Sequence, residues 1–168
     1  SLLSGPLEPT NRPYALAKIA GIEMCWSYNR QYGTRFLAAM PTNLYGPGDN
    51  FDPEVSHVIP ALMKKCVDAK DAGDDHIVVW GTGAASREFL YVDDCVTGLA
   101  LAAERYDGAD PVNLGTGEEI AIRDLAELIA EATGFGGSIC WDTTRPNGQP
   151  RRKLATDRAT ELFGFTAE

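Results

Sequence analysis

The sequence predicts a mixed α/β fold. Three observations carry that prediction. Helical segments alternate with short apolar runs along all 168 residues. The first of those runs, RFLAAMP at 35–41, is continuous rather than alternating, as in a strand buried on both faces of a parallel sheet. No internal repeat or low-complexity stretch interrupts the order.

The elements are read in chain order. Residues 1–12 carry Gly5, Pro6, Pro9 and Asn11 and form a loop. Pro13 suits the first position of a helix, with Asn11 or Thr10 as its cap. That helix spans 13–32, presents Ala15, Ile19, Ile22 and Trp26 as its apolar stripe, and ends at Gly33. The strand at 35–41 runs into the turn-rich Asn43-Leu44-Tyr45-Gly46-Pro47-Gly48, and open α/β sheets bind ligands beyond such strand ends. Ser56 caps a second helix that reaches about Ala69, with Pro60 in its first turns. A polar turn at 70–75 leads to a strand at His76–Trp80. Gly81-Thr82-Gly83 turns the chain into a strand at 87–92, and Asp93 caps a helix at 94–105. A strand at 112–115, a helix at 122–133, a strand at 138–141, a loop at 143–151 and a helix at 157–163 complete the chain.

Composition excludes several partner classes. The length is sufficient for a real core, with 44% hydrophobic and 23% charged residues. A net charge of −9 argues against binding nucleic acid or an anionic membrane, although it leaves room for a local basic pocket. No apolar run approaches the ~20 residues of a membrane span. Cys25, Cys66, Cys95 and Cys140 lie far apart without a CxxC pair, so buried reduced thiols are expected rather than zinc or a disulfide framework. The residues show no leader peptide, and the expected compartment is cytoplasmic.

Tyr14-Ala-Leu-Ala-Lys18 is the strongest chemical signal. It places a phenol and an ammonium one helical turn apart on one face. A phenol ionises near pH ~10, and a nearby cation stabilises the phenolate, which fits the pair for moving a proton at a substrate oxygen while hydride moves at the attached carbon. The plain alternative is an ordinary surface pair. Gly81-Thr82-Gly83 is not a phosphate loop, because no GKS/T follows and a strand comes next. Asp93-Asp94 reads as a helix start.

The stretches PTNRPYALAKIAGIEMCWSYNRQYG, FLAAMPTNLYGPGDNFDPEVSHVIPALMKK and VVWGTGAASREFLYVDD together resemble the GDP-L-fucose synthase family, within the extended short-chain dehydrogenase/reductases. The resemblance runs from about residue 5 to 164 and matches the carboxy-terminal part of that family. It implies residues 1–48 as a remnant of the Rossmann domain, with incomplete sheet elements, and 49–168 as a small mixed α/β nucleotide-sugar-binding domain. It implies conversion of GDP-4-keto-6-deoxy-D-mannose to GDP-L-fucose by epimerisation at C3 and C5 and reduction at C4 with NADPH.

Carried over by position, Tyr14 is the proton donor, and Lys18 binds the nicotinamide ribose and assists the tyrosine. Pro41, Thr42, Asn43 and Leu44 line the nicotinamide end of NADP(H). His57 is the epimerisation acid and also adjoins the cofactor. Lys65, Trp80 and Arg87 contact the GDP-sugar, and an arginine fork suits phosphate. Taken singly, each has a plain structural reading: His57 as a ring bonded to backbone at a helix start, Lys65 as a solvated helix lysine, Trp80 as core at a strand end, and Arg87 as a partner of Glu88 or Asp93.

The sequence also departs from the family. These residues hold no Gly-rich strand–turn–helix for the NADPH pyrophosphate, no serine of the Ser/Tyr/Lys set and no counterpart of the epimerase cysteine. Where the family has Arg-x-x-Leu-Asp, this chain ends the motif at Ala155, and the family's final helix falls beyond Glu168. The expectation is a nucleotide-sugar-binding part that does not turn over alone. The alternatives are a free-standing truncated binding module and an oligomeric interaction protein without redox activity. An uncovered 35–41 strand also predicts a homo-oligomer, a dimer through the 13–32 helix or that strand.

Overall fold

A computed structural model describes residues 5–168. The mixed α/β class holds, with five helices and nine short strands among the described residues. After a 3-10 turn at Pro9–Asn11, helix α1 runs Arg12–Tyr32. The expected stripe faces inward: Ile22 is buried, and Ala15, Ile19 and Trp26 are partly so. Trp26 Nε1 donates to Ala109 O at 2.6 Å, tying α1 to a distant loop. Gly33 ends the helix in the left-handed region at φ 64°, which favours glycine.

The strand expected at 35–41 is shorter, with β1 covering only Ala39–Pro41. Asn29 accounts for the difference. Its side chain accepts from Phe36 N (2.8 Å) and Thr34 Oγ1 (2.9 Å) and donates to Phe36 O (2.9 Å), so this backbone is satisfied by a side chain instead of a ladder. Strand β2 follows at Asn43–Tyr45.

Helix α2, Val58–Ala72, extends three residues past the expected end to Gly73 and absorbs the start of the polar turn. His57, not Ser56, is its N-cap residue, without a side-chain capping bond. Ser56 instead gives its backbone N–H to Asp52 O, and its hydroxyl is buried without a partner. Strand β3 spans His76–Trp80 as expected. The strand expected at 87–92 is two, β4 (Ser86–Arg87) and β5 (Phe89–Tyr91), split at Glu88. Helix α3 starts directly at Val92 and runs to Arg105. Asp93 is therefore not its cap. Both Asp93 and Asp94 lie in its first turn, where carboxylates complement the helix dipole.

The remainder comprises β6 (Val112–Leu114), β7 (Ile120–Ala121), α4 (Ile122–Thr133), β8 (Ser138–Asp142), β9 (Arg151–Arg152) and α5 (Asp157–Phe163). The two-residue strands β7 and β9 escaped the sequence reading because neither is long enough to show a period.

Pairing is mostly parallel. β1 pairs with β6, β2 with β5 and β3 with β8, while β4 lies between antiparallel β7 and parallel β9. Two apolar clusters hold these units. Leu62, Cys66 and Ala69 of α2 pack with Leu125, Ala126 and Ile129 of α4 over Ile77 and Val79 of β3. Leu90, Cys95, Leu114, Ala159 and Phe163 form the second, joining β5, α3, β6 and α5. All four cysteines are free. Cys66 and Cys95 are buried, and burial pushes both thiols up. Cys140 is exposed and Cys25 half-buried, against the expectation of four buried thiols. Among the described residues, no helix is long and apolar enough to cross a membrane and no cluster could hold a metal ion.

Candidate functional site

The carboxyl end of β1 opens onto a cleft of about 750 Å³. Four parts of the chain meet there: the start of α1, the loop from Pro41 through β2 to Asp49, the start of α2, and the β4–β9 pair. A cleft beyond the carboxyl end of a parallel strand is where ligands bind in α/β sheets.

Tyr14 lines this cleft and is 53% exposed. Lys18 follows one turn later, and its Nζ lies over the Tyr14 ring, 5.4 Å from the centroid. The expected pair is therefore in contact, although Lys18 itself does not line the wall. Pro41, Thr42, Asn43 and Leu44 all do. Their backbone is fixed from below: Thr42 N donates to Leu114 O (2.9 Å), while Thr42 Oγ1 (3.1 Å) and Asn43 Nδ2 (2.8 Å) both donate to Glu88 O. His57 lines the same cleft from the N-cap of α2, exposed to it.

Arg87 completes the set. It is half-buried and donates through Nη1 to Ser86 O at 2.7 Å. Burial pushes its guanidinium down from its ordinary value, and the positive charge of Arg152 adds to the effect. The alternative of a partnership with Glu88 fails, because the Glu88 carboxylate binds Gly117 and Leu154.

Two expected contacts stand apart from the cleft wall. Lys65 Nζ donates to Val78 O at 2.6 Å, close to its plain structural reading. Trp80 is not core: it is 61% exposed at the end of β3, with the Arg145 guanidinium stacked 5.0 Å from its ring.

Arg152 and Glu88 were missed from sequence. Arg152 lines the cleft beside Arg87, its register partner across β4 and β9. The available signal was the Arg-Arg-Lys run after the Pro/Gly loop, and alternation along a strand sends only one of two adjacent arginines inward. Arg151 points to Glu119, which holds it through both carboxylate oxygens at 2.6 and 2.9 Å. Arg151 and Ser86 together hold the Glu119 carboxyl down at about 2. Glu88, with no exposed surface, had as its signal an acid directly preceding the apolar run Phe89-Leu90-Tyr91.

The arrangement brings a phenol, an imidazole and two guanidinium groups to one concave site. The chain as a whole resembles known proteins. The chain is 51% identical to a "Probable GDP-L-fucose synthase 1" of Oryza sativa subsp. japonica, over 96% of this chain and 49% of that protein. It is 48% identical to a GDP-L-fucose synthase of Escherichia coli (strain K12), over 96% of this chain and 53% of that protein. The crystal structure of a GDP-L-fucose synthetase from Naegleria fowleri bound to NADP superimposes with a TM-score of 0.90 at 32% identity, covering 99% of this chain and 54% of that one. The chain thus spans about half the length of the curated relatives it matches. Residues 1–115 match the model of the NAD dependent epimerase/dehydratase family, and with these similarities the chain belongs to that family.

Proposed function

We propose that the chain carries the substrate-side machinery of an NADP-dependent enzyme converting GDP-4-keto-6-deoxy-D-mannose to GDP-L-fucose. One observation carries this reading: Tyr14, the 41–44 loop, His57 and the Arg87–Arg152 pair line a single cleft. The names of the relatives at 48–51% identity support the same substrate class.

The residues present fit the nicotinamide end of NADP(H). Tyr14 and loop 41–44 stand together at a parallel strand end, and Lys18 lies over the Tyr14 ring. Lys18 would hold the nicotinamide ribose and residues 41–44 would line the ring. When bound, NADPH supplies the hydride to C4. Tyr14 donates its phenolic proton to the C4 oxygen. His57 delivers a proton to the carbon being inverted beside the ketone. Arg87 and Arg152 hold the diphosphate, so the sugar is presented to Tyr14 and His57 in one orientation. None of the four cysteines lines the cleft, so the base opposite His57 is not a cysteine of these 168 residues.

These 168 residues contain no Gly-rich strand–turn–helix. On this reading they bind the nucleotide sugar but do not oxidise NADPH by themselves. They also associate with a second copy of the chain, a reading supported by the apolar residues that α1 exposes. Calorimetry with GDP tests the central assignment. Saturable binding that weakens in Arg87→Ala is expected, and no binding to the wild-type chain overturns it. NADPH oxidation with the keto sugar nucleotide would overturn the claim of no turnover.

A further inference from the structure

We propose that Glu88 is a positioning residue for the diphosphate end of the cleft, fixing the segment 150–154 so that Arg152 stands beside Arg87. The proposal rests on the reading of that cleft as a nucleoside-diphosphate site.

Segment 150–154 has little regular structure of its own. β9 contributes two residues, and Ser86 N donates to Pro150 O at 3.0 Å. Glu88 supplies the bonds on the far side. Its backbone N–H donates to Arg152 O at 3.2 Å, and its Oε2 accepts the Leu154 N–H at 2.7 Å. Oε1 accepts the Gly117 N–H at 2.9 Å, and the Glu88 carbonyl accepts from Thr42 and Asn43. One residue therefore joins loop 41–44, the turn at Gly117 and the arginine-bearing segment.

The side chain has no exposed surface. Burying a carboxylate is costly unless hydrogen bonds compensate, so an apolar residue would fill this position more cheaply if stability alone were at stake. An apolar residue would leave the Leu154 and Gly117 N–H groups without their acceptors, and segment 150–154 with only its backbone bonds to Ser86 and Glu88. Gly115 makes room for the carboxylate, because a Cβ there would collide with Glu88 Oε1.

The test is a double-mutant cycle read by calorimetry with GDP: wild type, Glu88→Gln, Arg152→Ala and the double variant. Glutamine keeps the shape but turns one acceptor into a donor facing a backbone N–H. About tenfold weaker GDP binding is expected for Glu88→Gln, with little further loss when it is added to Arg152→Ala. A residue that merely held the fold together would weaken both backgrounds equally, and that additive result overturns the proposal. So does unchanged GDP affinity in Glu88→Gln. If Glu88→Gln does not fold, Gly115→Ala serves in the same cycle, since it displaces the carboxylate without removing it. Wild-type protein that fails to bind GDP refutes the assignment of the cleft itself. Wild-type binding with additive losses refutes only the role of Glu88.

Discussion

Arg87 and Arg152 are register partners across the parallel strands β4 and β9, and both line the same cleft. Partners in this position project from the same face, about 4.8 Å apart at the backbone. Like charges so placed repel one another, and an anion bridging them relieves the repulsion. A diphosphate, with its oxygens on two phosphorus atoms, fits two adjacent guanidinium forks. Arg87→Ala and Arg152→Ala should each weaken GDP binding on the order of tenfold or more. Arg87→Lys should restore it only in part, because an ammonium lacks the planar fork. Calorimetry at two salt concentrations checks this: the wild-type affinity should fall with added salt, and each alanine variant should fall less steeply.

Lys65 should behave differently. Its ammonium is taken by the Val78 carbonyl, away from the cleft wall. Lys65→Ala should therefore leave GDP affinity within about twofold of wild type, since a solvent-exposed lysine bonded to one carbonyl contributes little. A loss as large as that of Arg87→Ala, in the same calorimetric titration, would show that Lys65 swings to the ligand.

Glu119 gives the structure an acid-sensitive clasp. Its carboxyl is held at about 2, against an ordinary 4.5, first by the hydrogen bonds from Arg151 and then by that from Ser86. A depressed folded-state value means the folded protein binds fewer protons than the unfolded chain. The stabilisation is then complete above about 4.5 and is lost as pH falls towards 2. Arg151 is 65% exposed, so solvent and salt reduce the size of the effect. Thermal melts of wild type and Glu119→Gln should differ at neutral pH, with wild type more stable, and should converge below about pH 2.5. A gap that persists unchanged into acid would show that the pair does not act through the charge of Glu119.

Much of the architecture was legible because it is written in long periods. Helices α1, α2 and α4 and the strand His76–Trp80 run over enough residues to be recognised. The candidate cleft was legible through a different route, the motifs that hold Tyr14, His57 and Arg87, three residues that line it together. What escaped is non-local. Whether residues 35–38 join a ladder depends on the Asn29 side chain. Whether Arg151 or Arg152 enters the cleft depends on the pairing of two-residue β9 with β4. Glu88 looked like a partner for Arg87 because adjacency in sequence suggested a pair, yet its carboxylate is taken by the Gly117 and Leu154 N–H groups.

Gly46 lines the cleft just after β2 and packs closely against Val92 at the start of α3. Its φ is 148°, a region that residues with a Cβ rarely adopt, and a Cβ placed there would meet Val92 Cγ1 at 2.6 Å. Gly46→Ala combines backbone strain with a steric clash, so destabilisation of about 1–3 kcal/mol is expected. The change should appear as a lower melting temperature and as weaker GDP binding, since Val92 and Tyr45 both line the site. An unaltered melting temperature would mean that the loop repacks freely and does not fix the cleft.

Helix α1 buries only Ile22, while Leu16, Met24, Tyr28 and Tyr32 are exposed along it. Tyr28 stacks with Tyr32 at 5.3 Å and with Phe36 at 5.9 Å, so the exposed aromatics form a patch and not scattered single residues. A contiguous apolar patch of this kind marks an interaction surface. The proposed occupant is a second copy of the helix, since an isologous contact would pair the patch with itself. Light scattering at micromolar concentration should give the mass of a dimer, about twice 18.1 kDa. Met24→Lys with Tyr28→Lys should return the monomer without loss of GDP binding, as neither residue lines the cleft. A wild-type chain that already runs as a monomer would remove the second copy as the occupant of this face.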